Sequence, residues 1–172
     1  MNLRLANEND IPAILEIFND ALVNTTAVYS YQKATLQEQL DWFRHKTEAN
    51  IPVYVAEDES GCLGYITYGP FRTRPAYKYT VELSIYVDSK ARNKGIGKAM
   101  MTKILQVCEE KELKTLICGI DSENTASIAL CQKFGFTHSG SLKKVGYKFG
   151  HWLDLEFYQL ELKGPSHPEE IQ

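Results

Sequence analysis

No apolar run in these 172 residues approaches the ~20 that a membrane-spanning helix needs, and Met1-Asn2-Leu3-Arg4 lacks the core of a signal peptide. Neither a membrane partner nor secretion is expected, which leaves the cytoplasm. Positive charge is not in surplus: 19 Lys and Arg stand against 22 Asp and Glu, for a net charge of -3. The basic footprint of a nucleic-acid-binding protein is therefore missing, and no nucleic-acid partner is expected. There is no Cys-x-x-Cys pair. Cys62, Cys108, Cys118 and Cys131 are spaced for neither a zinc site nor a disulfide framework, and the first three read as small buried apolar residues. His45, His138, His151 and His167 form no metal-ligand spacing either, so no metal is expected. No repeat or low-complexity segment appears.

What is present is ordinary globular composition, 44% apolar and 24% charged, in a length that suits one domain with a substantial core. Residues 1–162 read as that domain. The stretch 163–172, which includes Gly164-Pro165-Ser166-His167-Pro168, reads as a flexible tail. Leu3 to Leu5 is a short strand. Asn9 or Asp10 caps a helix with Pro12 in its first turn, and Ile11, Ile14, Leu15, Phe18 and Leu22 recur at helical spacing. An irregular stretch, Thr25 to Ala34, follows. Thr35-x-x-Glu38 is a capping box, opening a helix whose stripe is Leu36, Leu40 and Phe43. Val53–Glu57 and Cys62–Tyr68 form a hairpin around Glu59-Ser60-Gly61, and Gly69–Tyr77 is a polar, aromatic loop. Tyr79–Val87 is a strand, Ile96–Lys111 a long helix, Thr115–Ile120 a strand, and Thr125–Phe134 a helix stopped by Gly135. Phe136–Ser141 and Trp152–Leu162 are the last strands, joined by Leu142–His151. The order β-α-α-β-β-β-α-β-α-β-β predicts an α/β fold, a mixed sheet with helices on both faces.

The densest chemical signal is Arg92-Asn93-Lys94-Gly95-Ile96-Gly97-Lys98, between a strand and the long helix. A helix N-terminus presents unpaired amides and a positive dipole end to an anion, and glycines let a ligand approach the backbone. Arg92, Lys94 and Lys98 add positive charge. The plain alternative is a surface turn with incidental charge. A P-loop fails, because its first glycine would fall at Arg92 and its hydroxyl at Ala99. A dinucleotide fingerprint fails at its third glycine, which is Met100, and no acidic residue is read at the end of the next strand.

Arg92-x-x-Gly95-x-Gly97 in this setting resembles the acetyl-CoA loop of the GNAT acyltransferases. Asn124-Thr125-Ala126-Ser127, then Leu130 and Gly135-Phe136, resembles that family's second CoA element. The segments Gly69–Tyr77, Thr80-Val81-Glu82, Ile85-Tyr86-Val87 and Val145–Asp154 narrow the resemblance to the phosphinothricin acetyltransferase branch. It spans roughly Met1 to Leu162. It implies the GNAT fold with a mostly antiparallel sheet, acetyl-CoA as co-substrate, and direct transfer to the amine of a small amino acid or analogue: phosphinothricin, methionine sulfone or methionine sulfoximine. It also implies a homodimer. An aminoglycoside, a polyamine or a protein N-terminus is a different amine for the same chemistry, and a non-catalytic acyl-CoA sensor is a different class. The Arg72, Arg74 and Lys78 cluster speaks against polycationic substrates.

Strand alternation puts Glu82, Ser84 and Tyr86 on one face, and Val81, Leu83, Ile85 and Val87 on the core face. A carboxylate on a central strand is costly unless paired or functional, and burial would raise its pKa toward that of a useful base. An ion pair at a solvated strand end fits the spacing equally; the resemblance implies the general base. It further implies that Ile85, Tyr86 and Val87 serve through their backbone, binding the pantetheine arm and polarising the thioester. By the same resemblance Arg92 through Lys98, with Ile96 and Gly97, hold the pyrophosphate. Asn124 and Ser127 hold the arm, and Asn124 also reads as a helix N-cap. At Cys131 most of the family carries Tyr as general acid, and this branch typically carries His. The resemblance therefore points to the Cys131 thiol as the catalytic acid at this position; the residue type itself also fits a buried apolar helix face beside Ile128, Leu130 and Phe134, which would leave the proton to water, Tyr86 or Tyr147. Phe71, Arg72, Arg74, Tyr77, Lys78 and Thr80 form the expected substrate loop, where Arg can grip a carboxylate or phosphinate bidentately; the alternative is a solvated loop. Lys148 and Trp152 read as pocket wall or dimer surface.

Overall fold

The computed structural model describes residues 1–170. Local chemistry sets where its elements begin. After β1 (Asn2–Leu5), Asn7 caps a single 3-10 turn, Glu8–Asp10, and α1 (Ile11–Asn24) starts only then. Neither expected cap bonds the start of α1. Asp10 instead accepts from the Asn7 amide at 2.8 Å and from Arg4 at 2.7 and 2.8 Å. Arg4 also binds Glu57, so one guanidinium ties β1 to the turn and to the next strand. α2 (Leu36–Glu48) opens at the Thr35–Glu38 capping box. Leu40 and Phe43 pack inward with Trp42, whereas Leu36 is exposed.

β2 (Val53–Asp58) and β3 (Gly61–Pro70) form the expected hairpin, with β3 running two residues further than its apolar alternation suggested. β4 (Thr80–Val87), α3 (Ile96–Glu110), β5 (Thr115–Asp121) and α4 (Thr125–Lys133) follow. The one large departure comes last. β6 (Thr137–Lys148) and β7 (His151–Glu161) are a single long hairpin, where the sequence reading expected a loop over Leu142–His151. Phe149 and Gly150 take φ of +52° and +80°, the left-handed pair that closes a tight hairpin in keeping with strand twist. Register shifts at His138/Gly140 and Leu142/Gly146 break the alternation by which β6 would have been read.

The seven strands lie in one sheet, in the order β1-β2-β3-β4-β5-β7-β6. Every pairing is antiparallel except β4 with β5. α1 and α2 cover one face, where Ile11, Ile14 and Ile17 meet Val53, Val55 and Tyr65. α3 and α4 cover the other, where Met100, Met101 and Ile104 meet Val81, Leu83 and Leu116. The odd residues of β4 thus face α3 and the even ones face α1, as the alternation predicts. No helix among the described residues is long and apolar enough to cross a membrane. Past Glu161 there is no regular element among the described residues, and the Glu169 amide donates to the Tyr79 hydroxyl at 3.1 Å. The final part of the expected tail, 171–172, lies outside the described residues.

Candidate active site

The central sheet opens at one place. The parallel ladder between β4 and β5 holds only three pairs, Thr80–Thr115, Val81–Leu116 and Glu82–Ile117. Beyond Glu82, β4 stays paired with β3 as far as Val87, and β5 stays paired with β7 as far as Asp121. The two strands therefore diverge from Glu82 onward. Their polar groups follow from alternation. The Thr80 carbonyl accepts from Phe71, and the Asp88 amide donates to Leu63, so even residues of β4 turn their backbone groups to β3. Ile85 and Val87 then turn theirs away from β3, into the gap.

A groove of about 660 Å³ continues from this gap to the start of α3. Ile85, Tyr86 and Val87 line it at one end, and Arg92, Asn93, Gly95, Ile96, Gly97 and Lys98 at the other. Asn93 and Gly95 adopt φ of +63° and +78°, which turns the chain so that the first α3 amides face the groove. Gly97 lets α3 approach α4, since a Cβ there would lie 3.3 Å from Leu130 Cδ2. Asn124 and Ser127 line the opposite wall, and Asn124 Oδ1 accepts from the Ser127 amide at 3.2 Å as the cap of α4. Lys94, expected here too, is exposed and does not line the groove.

Glu82 stands at the fork, half-buried on the face of α1. Burial raises its carboxyl pKa, and the charge of Arg72 opposes the rise. Tyr86, two positions on, stacks on Tyr65 at 5.2 Å between ring centres and meets the edge of Phe18 at 5.7 Å. Burial, with the nearby Glu82 charge, pushes its phenol up to about 12. Arg72, Arg74, Tyr77, Lys78 and Thr80 line a second groove of about 620 Å³ at the other end of β4. Phe71 is not part of that lining; it carries the Arg72 guanidinium over its ring at 4.2 Å. β4 thus runs from the basic groove to the first groove, with Glu82 between them.

Cys131 does not reach the groove. It is buried, 3% exposed, beside Cys118. The neighbouring Cys131 thiol, and then burial, hold Cys118 well above the usual thiol range.

Several residues of the site carried no sequence signal. Thr25, Thr26 and Ala27, from the irregular stretch after α1, form part of the groove wall, as do Lys133 and Phe149. Asp121 fixes that stretch: its buried carboxylate accepts from Thr26 Oγ1 at 2.9 Å, from the Glu123 amide at 3.0 Å and from the Tyr29 hydroxyl. An acid does therefore end the strand after α3, contrary to the sequence reading, and protein donors occupy it. Lys148 fixes the other end of the stretch. It is buried, and its ammonium donates to the carbonyls of Leu22, Thr25 and Val28. It is thus neither pocket wall nor dimer surface, because its three protons are spent on backbone.

Residues 3–156 match the family described as acetyltransferase (GNAT) domain. The L-methionine sulfoximine/L-methionine sulfone acetyltransferase of Pseudomonas aeruginosa is 39% identical, over 94% of each chain. Among solved structures, a ribosomal-protein-alanine N-acetyltransferase from Brucella melitensis is 42% identical with a TM-score of 0.92, covering 94% of this chain and all of its own. A GNAT superfamily phosphinothricin acetyltransferase from Sinorhizobium meliloti, solved in complex with acetyl-CoA, is 35% identical with a TM-score of 0.93, over 98% of this chain and 92% of its own.

Proposed function

The chain belongs to the GNAT acetyltransferases, and from that premise we propose that it moves the acetyl group of acetyl-CoA to the α-amine of a small amino acid or analogue, of the phosphinothricin, methionine sulfone and methionine sulfoximine kind. The observation that carries this reading is the β4–β5 ladder that ends at Glu82, beside a groove leading to the α3 N-terminus. Bound acetyl-CoA supplies a thioester carbonyl as the acceptor of the amine, with CoA as leaving group. The groove residues fit such a molecule. The α3 amides, with Arg92 and Lys98, suit a pyrophosphate, and the unpaired groups of Ile85 and Val87 suit an amide-bearing arm and a polarised carbonyl. Lys94 has a long-range electrostatic role only.

Glu82 is the general base. An α-amine is an ammonium at neutral pH and must lose a proton before it attacks; a carboxylate with a raised pKa at the fork can take it. Arg72, Arg74 and Lys78 attract the substrate's acidic group. The proton for the departing sulfur comes from Tyr86 rather than from Cys131. Tyr86 lines the groove, whereas Cys131 is buried away from it.

The Brucella relative favours a second reading, in which the amine belongs to a protein N-terminal alanine. Both readings share an α-amine. They differ in the carboxylate, which a peptide-linked alanine lacks and which the basic groove suits. We also propose a cytoplasmic protein, in keeping with four free cysteines, a catalytic unit of residues 1–162, and a homodimer. The exposed Tyr147, Phe149 and Trp152 on the β6–β7 hairpin support the dimer. The test is acetyl-CoA consumption with phosphinothricin, methionine sulfone, methionine sulfoximine, spermidine, an aminoglycoside and an alanine-terminated peptide. Turnover of the first three supports the reading. Turnover of the peptide alone transfers it to the protein substrate, and binding without turnover favours a sensor.

A further inference from the structure

Gly119 sits within β5 just beyond the last β4–β5 pair, where the strand is paired with β7 alone, and it is exposed at the fork. Glycine weakens a strand interior, so its presence there needs a reason. Backbone freedom is not the reason, since Gly119 is absent from the glycines with positive φ. A bulge is not the reason either, because the β5–β7 register runs without a shift from Thr115 to Asp121. What remains is space.

That space is taken by Glu82. Ile117, Gly119 and Asp121 share the face of β5 onto which Glu82 projects. A Cβ at Gly119 would lie 2.9 Å from Glu82 Oε1, and then 3.5 Å from Phe157 Cε1 and 3.7 Å from Leu155 Cδ1. The carboxylate of one strand thus occupies the side-chain slot of its neighbour, bordered by two apolar side chains of β7. We propose that Gly119 is a positioning residue for the transfer reaction, its missing side chain forming the slot that holds the Glu82 carboxylate at the fork between β4 and β5. This rests on the reading of Glu82 as the base.

The geometry separates this from a packing role. The closest atom to the added Cβ is the end of a flexible side chain, which can swing aside at little cost to the fold. Gly64 is the contrast. A Cβ there would lie 2.6 Å from the Tyr86 carbonyl oxygen and 3.2 Å from Val87 Cα, both backbone. Gly119→Ala should therefore melt at or above the wild-type temperature and bind acetyl-CoA unchanged, while a displaced base costs about 10- to 100-fold in kcat. Gly64→Ala should lose stability instead.

The experiment is a double-mutant cycle of Glu82→Gln and Gly119→Ala, with kcat for methionine sulfone (or whichever amine is turned over), the melting temperature and the acetyl-CoA Kd measured for each variant. The expected result is a slow Gly119→Ala enzyme of undiminished stability, and no further loss when Gly119→Ala is added to Glu82→Gln. A slow Glu82→Gln with an unimpaired Gly119→Ala overturns the glycine proposal alone. So does a Gly119→Ala penalty that persists in full in the Glu82→Gln background, because the glycine then acts on something other than the base. A Glu82→Gln enzyme at the wild-type rate removes the base, and with it both readings.

Discussion

Replacing Lys148 by Met should unfasten the wall of the first groove. The perturbation keeps most of the aliphatic stem and removes the ammonium, so its effect isolates the three bonds to Leu22, Thr25 and Val28. Net hydrogen bonds to a charged group contribute about 1.5–3 kcal/mol each, or roughly 5–9 kcal/mol together. Holding a buried ammonium costs several kcal/mol, and no carboxylate lies within salt-bridge distance to offset it among the described residues. The carbonyls at the end of α1 supply a partial negative charge in its place. The remainder is about 3 kcal/mol. For a chain of this size that is a fall in melting temperature of roughly 6–12 °C. Thermal melts of wild type and Lys148→Met give the number directly, and acetyl-CoA titration reads the functional side, since Thr25, Thr26 and Ala27 line the groove. Affinity should weaken with stability. A melting temperature within about 2 °C of wild type, with unchanged acetyl-CoA affinity, would refute the argument that this lysine organises the segment.

Lys46 makes the opposite case. Burial pushes its ammonium down to about 8 from an ordinary 10.5, and its bond to the Tyr68 carbonyl does not compensate. The unfolded state then binds the proton more tightly, so wild-type stability should rise as pH goes from about 8 to 10.5. The full shift corresponds to about 3 kcal/mol, and partial exposure reduces it to about 1 kcal/mol. Lys46→Met should raise the melting temperature at pH 7, with the gain shrinking toward pH 10; a gain independent of pH would contradict this. Arg72→Ala removes the charge that opposes the raised Glu82 pKa. The acid limb of kcat/KM should move to higher pH, with a larger loss at pH 6 than at pH 9, and a limb that stays in place would separate Arg72 from the base. Cys131→Ala should leave kcat within about twofold, whereas Tyr86→Phe should lower it about 100-fold with acetyl-CoA binding retained; the reverse order in single-turnover rates would return the acid role to the thiol.

The fold was largely legible because most of its decisions are local. The Thr35–Glu38 box, Gly135 after α4 and the alternation of β4 each name their own structure. The β6–β7 hairpin was not legible, because its bulges erase the period of two and its turn carries Phe149 rather than Asn or Asp before glycine. Of the candidate site, the α3 loop and Glu82 stand out in the sequence, through glycine spacing and a carboxylate on a central strand. Asp121 and Gly119 do not, and Lys148 stands out without its role. Their parts depend on groups far along the chain: three carbonyls near the end of α1, the hydroxyls of Thr26 and Tyr29, and the carboxylate of a neighbouring strand. Cys131 falls at the acid position of the resemblance, but its burial beside Cys118 is set by tertiary packing, which spacing does not encode.

The central claim is that Glu82 takes the proton from an α-amine at the fork between β4 and β5. The most direct measurement is kcat/KM for methionine sulfone against pH, for wild type and Glu82→Gln. The account predicts an acid limb in the wild type with an apparent pKa above the ordinary carboxyl value, and in Glu82→Gln a rate lower by about 100-fold or more with that limb gone. A Glu82→Gln enzyme that keeps both the rate and the limb would contradict it.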